Sequence, residues 1–298
     1  MNYQKPRFVA EVGCNHKGLM EIAREFIQTA AIYCRADIVK FQKRNIKEWL
    51  SSEQYNAPHP DPANAYGKTY GEHRQFLEFD LEQHRRLKDW CEECGLDYSS
   101  SVWDLTSAKE IASLNPNLIK IPSACNNNRT MLKFLCDNFP GEIHASVGMT
   151  TRAEEEALVK LFEDKRRNRD LALYSCTAGY PVPFEDVCLL EIRRLKEKYG
   201  DIVKEIGFSG HHLGIAVDIA AYTLGATIIE RHFTLNRTWK GTDHAASLEP
   251  DGLRKVVRDV NAAYKALSYK SKEILDIEMV QREKLKAFDY ENKGESCP

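Results

Sequence analysis

EIGFSGHHLGIAVDIAAYTLGATIIERHF, residues 205–233, reads as a strand, a helix and a second strand. Its ends, EIGFSGH (205–211) and TIIERHF (227–233), are short apolar runs interrupted by polar side chains. Between them, residues 214–224 carry apolar side chains at helical spacing. Gly225 follows, where a helix C-terminus favours glycine. A strand, a helix and a strand in this order form a parallel crossover unit.

The same rhythm runs outward to both ends of the chain. Six further apolar runs precede it: RFVAEVG (7–13), ADIVKFQ (36–42), LDYSSSV (96–102), NLIKIPS (117–123), EIHASVG (142–148) and LALYSCT (171–177). Helical patterns lie at 19–34, 81–94, 105–114, 129–138, 151–167, 185–199, 214–224 and 250–267. Thr150 or Thr151 can cap the helix that continues RAEEEALVKLF, and Gly95 and Gly200 follow helical patterns as Gly225 does. Eight such units in about 260 residues predict a closed (β/α)8 TIM barrel, with a doubly wound open sheet as the alternative. One connection breaks the rhythm. Residues 43–80, containing HPDPANAYGKTYG, separate the second strand from its helix. A loop of that length inside a compact domain is usually functional, and it would lie at the catalytic face.

Composition bounds the rest. Of 298 residues, 43% are hydrophobic and 29% charged, enough for a substantial core. Lys and Arg total 42 against 44 Asp and Glu, a net charge of −2, so no bulk positive field predicts nucleic acid or an anionic membrane as partner. The N-terminus does not read as a signal peptide and no run is long enough to span a bilayer, so a cytoplasmic location is expected. Nine cysteines without framework spacing read as reduced thiols. Cys91 and Cys94 resemble half a zinc or redox motif, but they fall in a helical pattern and no second pair completes it.

Glu11, Lys40, Lys120, His211, Glu230 and His232 stand in strand runs that a plain barrel core would fill with Val, Ile and Leu. A buried charge needs a partner or a ligand. Side chains alternate across a strand, so Lys40 shares a face with Gln42, Ser209 with His211, and Glu230 with His232. Inward-facing members would converge at the carboxyl ends of the strands, where such barrels hold their sites. His211 and His232, on adjacent strands, form a candidate divalent-metal pair; the competing reading is hydrogen-bonded core histidines. His16, His212 and His244 are weaker candidates, and Asp243 is a candidate second carboxylate. Lys40 and Lys120, with the hydroxyls of Ser101, Ser123, Ser146 and Ser209, describe an anion site for phosphate or carboxylate. Neither a Walker loop nor a G-x-G-x-x-G run occurs, so a nucleotide cofactor has no support. The residues alone describe a metal-assisted enzyme acting on a phosphate or carboxylate, with an aldehyde or ketone partner, and a barrel aldolase or metal-dependent hydrolase fits nearly as well.

A set of motifs in fixed order narrows this choice. AEVGCNHKG (10–18), VKFQ (39–42), SSSVWD (99–104), IKIPSA (119–124), SVGMT (146–150), SCTAGYPVPFEDV (175–187), GFSGHHLG (207–214), IIERHFTLNRT (228–238) and GTDHAASLEPD (241–251) together resemble the sialic acid synthase family, the phosphoenolpyruvate-condensing synthases of nonulosonic acids. The resemblance spans residues 7–267 and implies a (β/α)8 barrel and, as in that family, a homodimer. It implies condensation of phosphoenolpyruvate with an open-chain aldose to give a 2-keto-3-deoxy sugar acid and phosphate. It also implies a divalent cation at His211 and His232, typically manganese, with magnesium or cobalt as alternatives. Lys40, Lys120, Ser101, Ser123, Ser146 and Ser209 match positions that hold phosphoenolpyruvate. Glu11 matches an acid near the reacting centre, for sugar contact or proton transfer. Gln42, Tyr180 and Asp243 match the sugar side.

The departures from the family pattern are specific. Cys125 stands where the family usually has an acid, Ala178 where it often has Asn, and Gly210 where the usual Ser-Asp-His has Asp. Residues 268–298 begin with a helical pattern, SKEILDIEMVQREKLKAF, and are too few for the small antifreeze-like domain that many members carry, which supplies an arginine to the sugar's N-acyl end. The expected organisation is therefore a catalytic barrel over 1–267 and a helical tail over 268–298. The expected acceptor is not standard N-acetylmannosamine.

Overall fold

The computed structural model describes residues 3–286. Internal contacts divide the chain into two compact units, 1–264 and 265–298. The first is a (β/α)8 barrel. Its strands are β1 (Arg7–Gly13), β2 (Ile38–Lys43), β3 (Asp97–Val102), β4 (Leu118–Ile121), β5 (Glu142–Ser146), β6 (Leu171–Cys176), β7 (Glu205–Gly210) and β8 (Ile228–His232). All neighbours pair in parallel and β1 closes on β8, so no sheet edge is left open. The open-sheet alternative is thereby excluded.

The helices of the barrel start where sequence supplies a cap. In α1 to α11, Asp80 caps α5 (Leu81–Glu93), Asp104 caps α6 (Leu105–Ser113), and Asn128 caps α7 (Arg129–Asn138). Thr151 and Glu154 form a reciprocal capping box on α8 (Arg152–Asp164). The remaining outer helices are α1 (Met20–Gln28), α9 (Leu190–Tyr199), α10 (Ala216–Thr223) and α11 (Pro250–Ala266). Two details differ from the sequence reading. The helix expected over 19–34 is α-helical only to Gln28, then widens into a π-helical turn over Thr29–Cys34 that ends on Arg35 in the left-handed region. Gly95 also turns left-handed, with φ of 71°, but Gly200 stays right-handed at −57°.

The long connection after β2 is not irregular. It folds into α2 (Ile46–Trp49), α3 (Ser52–Asn56) and α4 (Tyr70–Leu77), with Ser51 and Thr69 each forming a capping box. Tyr66 Oη donates to the Lys240 carbonyl at 2.5 Å, and the Gly241 amide donates to Asn64 Oδ1 at 2.9 Å. This segment is thus tied to the β8–α11 connection.

Inside the barrel the side chains stack in layers. Val9, Ile38, Leu118, Ala172, Tyr174 and Ile228 form an apolar middle layer of fully buried groups. One inward position further along each strand, the residues become Glu11, Lys40, Lys120, Cys176, Ser209 and Glu230. The middle layer is therefore the floor of a polar chamber at the carboxyl ends of the strands. In the second unit the described part carries α12 (Asp276–Leu285), an exposed helix with Ile277, Val280 and Leu285 in solvent. The expected tail continues over 287–298, outside the described residues.

Candidate active site

A cavity of about 90 Å³ opens at the carboxyl ends of the strands. Its lining includes Glu11, Lys40, Gln42, Ser101, Lys120, Ser123, Ser146, Tyr180, Ser209, His211 and His232. The lysines, serines, Glu11, Gln42, Tyr180, His211 and His232 singled out from sequence meet there, whereas Asp243 stands just behind, its Oδ2 4.0 Å from His232 Nδ1.

Two lysines and two carboxylates form the centre. Lys40 Nζ lies 2.8 Å from Glu11 Oε2 and 3.5 Å from Glu230 Oε1, and donates to Ser101 Oγ at 2.9 Å. Lys120 Nζ donates to Glu230 Oε2 at 3.1 Å, and Ser209 Oγ donates to Glu230 Oε1 at 2.9 Å. Gln42 Nε2 donates to Glu11 Oε1 at 2.8 Å. These partners come from β1, β2, β3, β4, β7 and β8, so barrel closure is what assembles them.

Burial sets the protonation states. Burial pushes Glu11 up, and Glu230 adds to this against the pull of Lys40, so Glu11 can keep a proton that an exposed glutamate would lose. Burial would also raise Glu230, but Lys120, Lys40 and Ser209 outweigh it and hold Glu230 ionised. Lys40 is raised because Glu11 and Glu230 outweigh its desolvation. Lys120 has less compensation, and burial brings it down to about 8. Two neighbouring carboxylates driven in opposite directions are a pattern of acid–base sites.

The imidazoles stand one inward position beyond Ser209 and Glu230, at the ends of β7 and β8. His211 and His232 have ring centroids 5.3 Å apart, and Tyr180 packs against both, at 4.4 and 5.7 Å. His211 Nδ1 donates to the Thr177 carbonyl at 2.9 Å, which leaves Nε2 as the bare nitrogen. His232 is kept neutral by burial, and its Nδ1 is buried without a hydrogen-bond partner. Two adjacent imidazoles, one of them with a buried nitrogen that lacks a partner, fit a divalent cation whose remaining ligands are oxygens. Among the described residues no group of three or more His, Cys, Asp or Glu side chains stands ready to hold a metal, so this pair would need substrate or water to complete a shell.

The weaker histidine candidates are built into the frame. His212 is fully buried against Arg231, with Asp218 beside both. His244 shares a 2.7 Å hydrogen bond with the Thr234 hydroxyl, and His16 stacks on Phe79. Arg231 alternates with Glu230 along β8 and so points away from the cavity. Cys91 is buried and Cys94 is the cap residue of α5; both are free thiols.

Beside Pro122, Ala124 and Met149, the lining holds Glu230, Trp103 and Cys176, whose roles the sequence does not assign. Glu230 is recognisable there as polar, yet nothing along the chain shows that it bridges both lysines. Trp103 and Cys176 also line the cavity, with Cys176 Sγ 3.9 Å from His211 Nδ1. Of the three departures from the family pattern, Ala178 lines the cavity. Cys125 is buried with its thiol toward the Trp103 carbonyl at 3.2 Å. Gly210 is packed against Phe208 and His212 so closely that a Cβ there would lie 2.7 Å from the Phe208 ring.

A closed barrel with paired lysines, paired carboxylates and paired imidazoles at its carboxyl mouth defines a barrel enzyme site for a small anionic substrate. The chain belongs to the NeuB family, whose profile it matches over residues 26–272. It is 36% identical over 283 residues to the N-acetylneuraminate-9-phosphate synthase of Homo sapiens, an alignment covering 95% of this chain and 77% of that protein. It is 34% identical over 265 residues to the N,N'-diacetyllegionaminic acid synthase of Campylobacter jejuni, covering 89% of this chain and 78% of that one. The crystal structure of the N-acetylneuraminic acid synthetase of Leptospira borgpetersenii in complex with citrate superposes with a TM-score of 0.79 at 27% identity, over 94% of this chain and 91% of that one. No described helix is long and apolar enough to cross a membrane.

Proposed function

We propose that this protein condenses phosphoenolpyruvate with an open-chain aldose, with water as the third reactant, to give a 2-keto-3-deoxy sugar acid and inorganic phosphate. C3 of phosphoenolpyruvate bonds to the aldehyde carbon, water adds its oxygen at C2, and the bond from C2 to the phosphate oxygen breaks. The observation that carries this reading is the buried pair Lys40 and Lys120, which share Glu230 and face one cavity with four serine hydroxyls. Membership of a family whose relatives are sialic acid and legionaminic acid synthases supports it.

Each residue has a derived task. Lys40 and Lys120 attract the phosphate and carboxylate, with Ser101, Ser123, Ser146 and Ser209 as further donors, and their charge offsets charge that develops at C2. Glu11, kept protonatable by burial, holds or delivers a proton on the sugar side beside Gln42. Tyr180 and Asp243 border the space left for the sugar. His211 and His232 would hold a divalent cation, manganese in the first instance, which when bound polarises the aldehyde carbonyl. The acceptor is proposed to lack an N-acetyl group or to carry another substituent, since the methyl of Ala178 offers that sugar no amide partner. A homodimer and a cytosolic location belong to the same proposal.

The test is phosphate release across a panel of N-acetylmannosamine, its phosphate, mannose and shorter aldoses, with mass detection of the keto acid. Phosphate released only when phosphoenolpyruvate and an aldose are both present supports the reaction. Release from phosphoenolpyruvate alone, or aldol cleavage of the product class without phosphate, refutes it. A clear preference for N-acetylmannosamine refutes the acceptor assignment alone.

A further inference from the structure

Lys120 reaches the cavity from the barrel floor, and what lies beneath it is an aromatic ring. Its Nζ sits 3.3 Å from the centroid of the Tyr174 ring, and both residues are almost fully buried. The Tyr174 hydroxyl is 2.7 Å from His144 Nδ1, and His144 Nε2 is 3.0 Å from Glu142 Oε2. The carboxylate fixes the tautomer: Nε2–H donates to Glu142, so Nδ1 accepts from the tyrosine. Glu142 is held in turn by Arg7 and Lys204, each at 2.8 Å, at the far end of the barrel. On the neighbouring strand β7, in register with Tyr174, Gly207 makes the room. A Cβ there would lie 2.9 Å from the Tyr174 ring carbons, although the glycine's backbone is not left-handed. A pillar of side chains thus runs from the far face of the barrel to the floor of the site.

We propose that Tyr174 is a positioning residue for phosphoenolpyruvate binding, its ring face holding the Lys120 ammonium in place while the His144–Glu142 pair holds the ring. The inference rests on the proposed function, in which Lys120 binds the phosphoenolpyruvate anion. A lysine stem has four rotatable bonds, and Glu230 alone would leave the ammonium free to follow that carboxylate. A second carboxylate beneath it would cancel the charge an anion needs. The negative face of a ring stabilises a desolvated ammonium without neutralising it. Of its three N–H donors Lys120 gives one to Glu230, which leaves donor capacity for a ligand.

The groups that face Lys120 are Glu230 on β8, Lys40 on β2 with its partner Glu11 on β1, Cys176 on β6, and His144 on β5 behind the ring. Changing Tyr174 leaves Glu230, Lys40, Glu11 and Cys176 in place and takes from His144 only its hydroxyl partner. Removing the ring removes a stabiliser of the charged form, so the lysine must lose its proton at lower pH.

Three variants of the full chain test this: Tyr174→Leu, Tyr174→Phe and Gly207→Ala. Phosphoenolpyruvate binding is measured by calorimetry, with KM for each substrate, kcat, and the basic limb of kcat/KM for phosphoenolpyruvate. Tyr174→Leu is expected to weaken phosphoenolpyruvate binding roughly tenfold, leave the aldose KM within about twofold, and move the basic limb to lower pH. Tyr174→Phe keeps the ring face and should recover most of the affinity. Gly207→Ala displaces the ring without removing it and should weaken binding in the same direction, which keeps the test open if Tyr174→Leu does not fold. The inference is overturned if folded Tyr174→Leu or Gly207→Ala binds phosphoenolpyruvate as the parent does, or if Tyr174→Phe loses as much as Tyr174→Leu. If the parent binds phosphoenolpyruvate but no aldose releases phosphate from it, the proposed reaction fails and the positioning role stands on the binding data.

Discussion

The two ends of the barrel carry the same charges and use them differently. At the carboxyl end, Lys40 and Lys120 face Glu11 and Glu230. At the opposite end, Arg7 and Lys204 face Glu142 and Glu205. Each end has two cations and two carboxylates. The carboxyl-end side chains are at most 7% exposed, whereas those at the other end range from 11 to 39%. Water can reach the second set, so its ion pairs relax into a simple clasp. The first set has no such relief, and its protonation states split: Glu11 is raised, Glu230 lowered, and Lys120 brought down to about 8. A charge count does not separate a binding site from a structural clasp, but desolvation does.

The sharpest way to break this comparison is to remove one charge from each end. Lys120→Met is expected to lower kcat/KM for phosphoenolpyruvate by about a thousandfold in a phosphate-release assay, with the circular dichroism of the fold retained. A variant that is instead destabilised in urea unfolding while keeping its kcat/KM would make the carboxyl-end cluster structural as well. His232→Ala comes next, with an expected loss of about a hundredfold in activity together with loss of bound divalent metal in elemental analysis. Full metal content in that variant would remove His232 from the metal site.

At the other end the expected effect is on stability. Arg7→Met should cost about 1–2 kcal/mol in urea unfolding, with kcat unchanged. Its pH dependence follows from Glu142. Burial raises that group, but hydrogen bonds from His144, Arg7 and Lys204 outweigh it and hold it well below the usual carboxylate range. A carboxylate depressed in the folded state stabilises above its unfolded pKa, near 4.3, and this contribution disappears as the pH falls toward the folded value. The difference between parent and Arg7→Met should therefore be full at neutral pH and shrink below about pH 4. A difference that is constant from pH 7 to pH 3 would show that the clasp is not ionic. The smallest effect is expected for Ala178→Asn, a several-fold shift in kcat/KM toward N-acetylated aldoses, read from paired acceptor assays.

Much of this was legible along the chain because a parallel barrel repeats its signals. Each strand is an apolar run, each helix has a capped start, and alternation marks which polar residues share a face with their neighbours. Lys40 with Gln42, and Glu230 with His232, follow from period two alone. What alternation cannot reveal is who stands opposite. Glu230 meets a lysine 110 positions away, and Tyr174 meets His144 and Lys120 from separate strands. Those contacts depend on barrel closure and on the height at which each strand enters a layer. For the same reason nothing in LALYSCT separates Tyr174 from an ordinary core aromatic. The 43–80 segment reads as loop because its helices are four to eight residues long, too short for periodicity to declare them.

The pairing of the first strand with the last carries a further meaning for how the enzyme comes into being. Glu11 lies in register with Lys40 on one side and His232 on the other. The seam of the barrel runs through the centre of the site. Glu11 and Lys40 are both synthesised long before His232, and the strand that completes the site is also the one that closes the cylinder. A chain interrupted before β8 lacks both Glu230 and His232, so closing the cylinder and completing the chamber are one event.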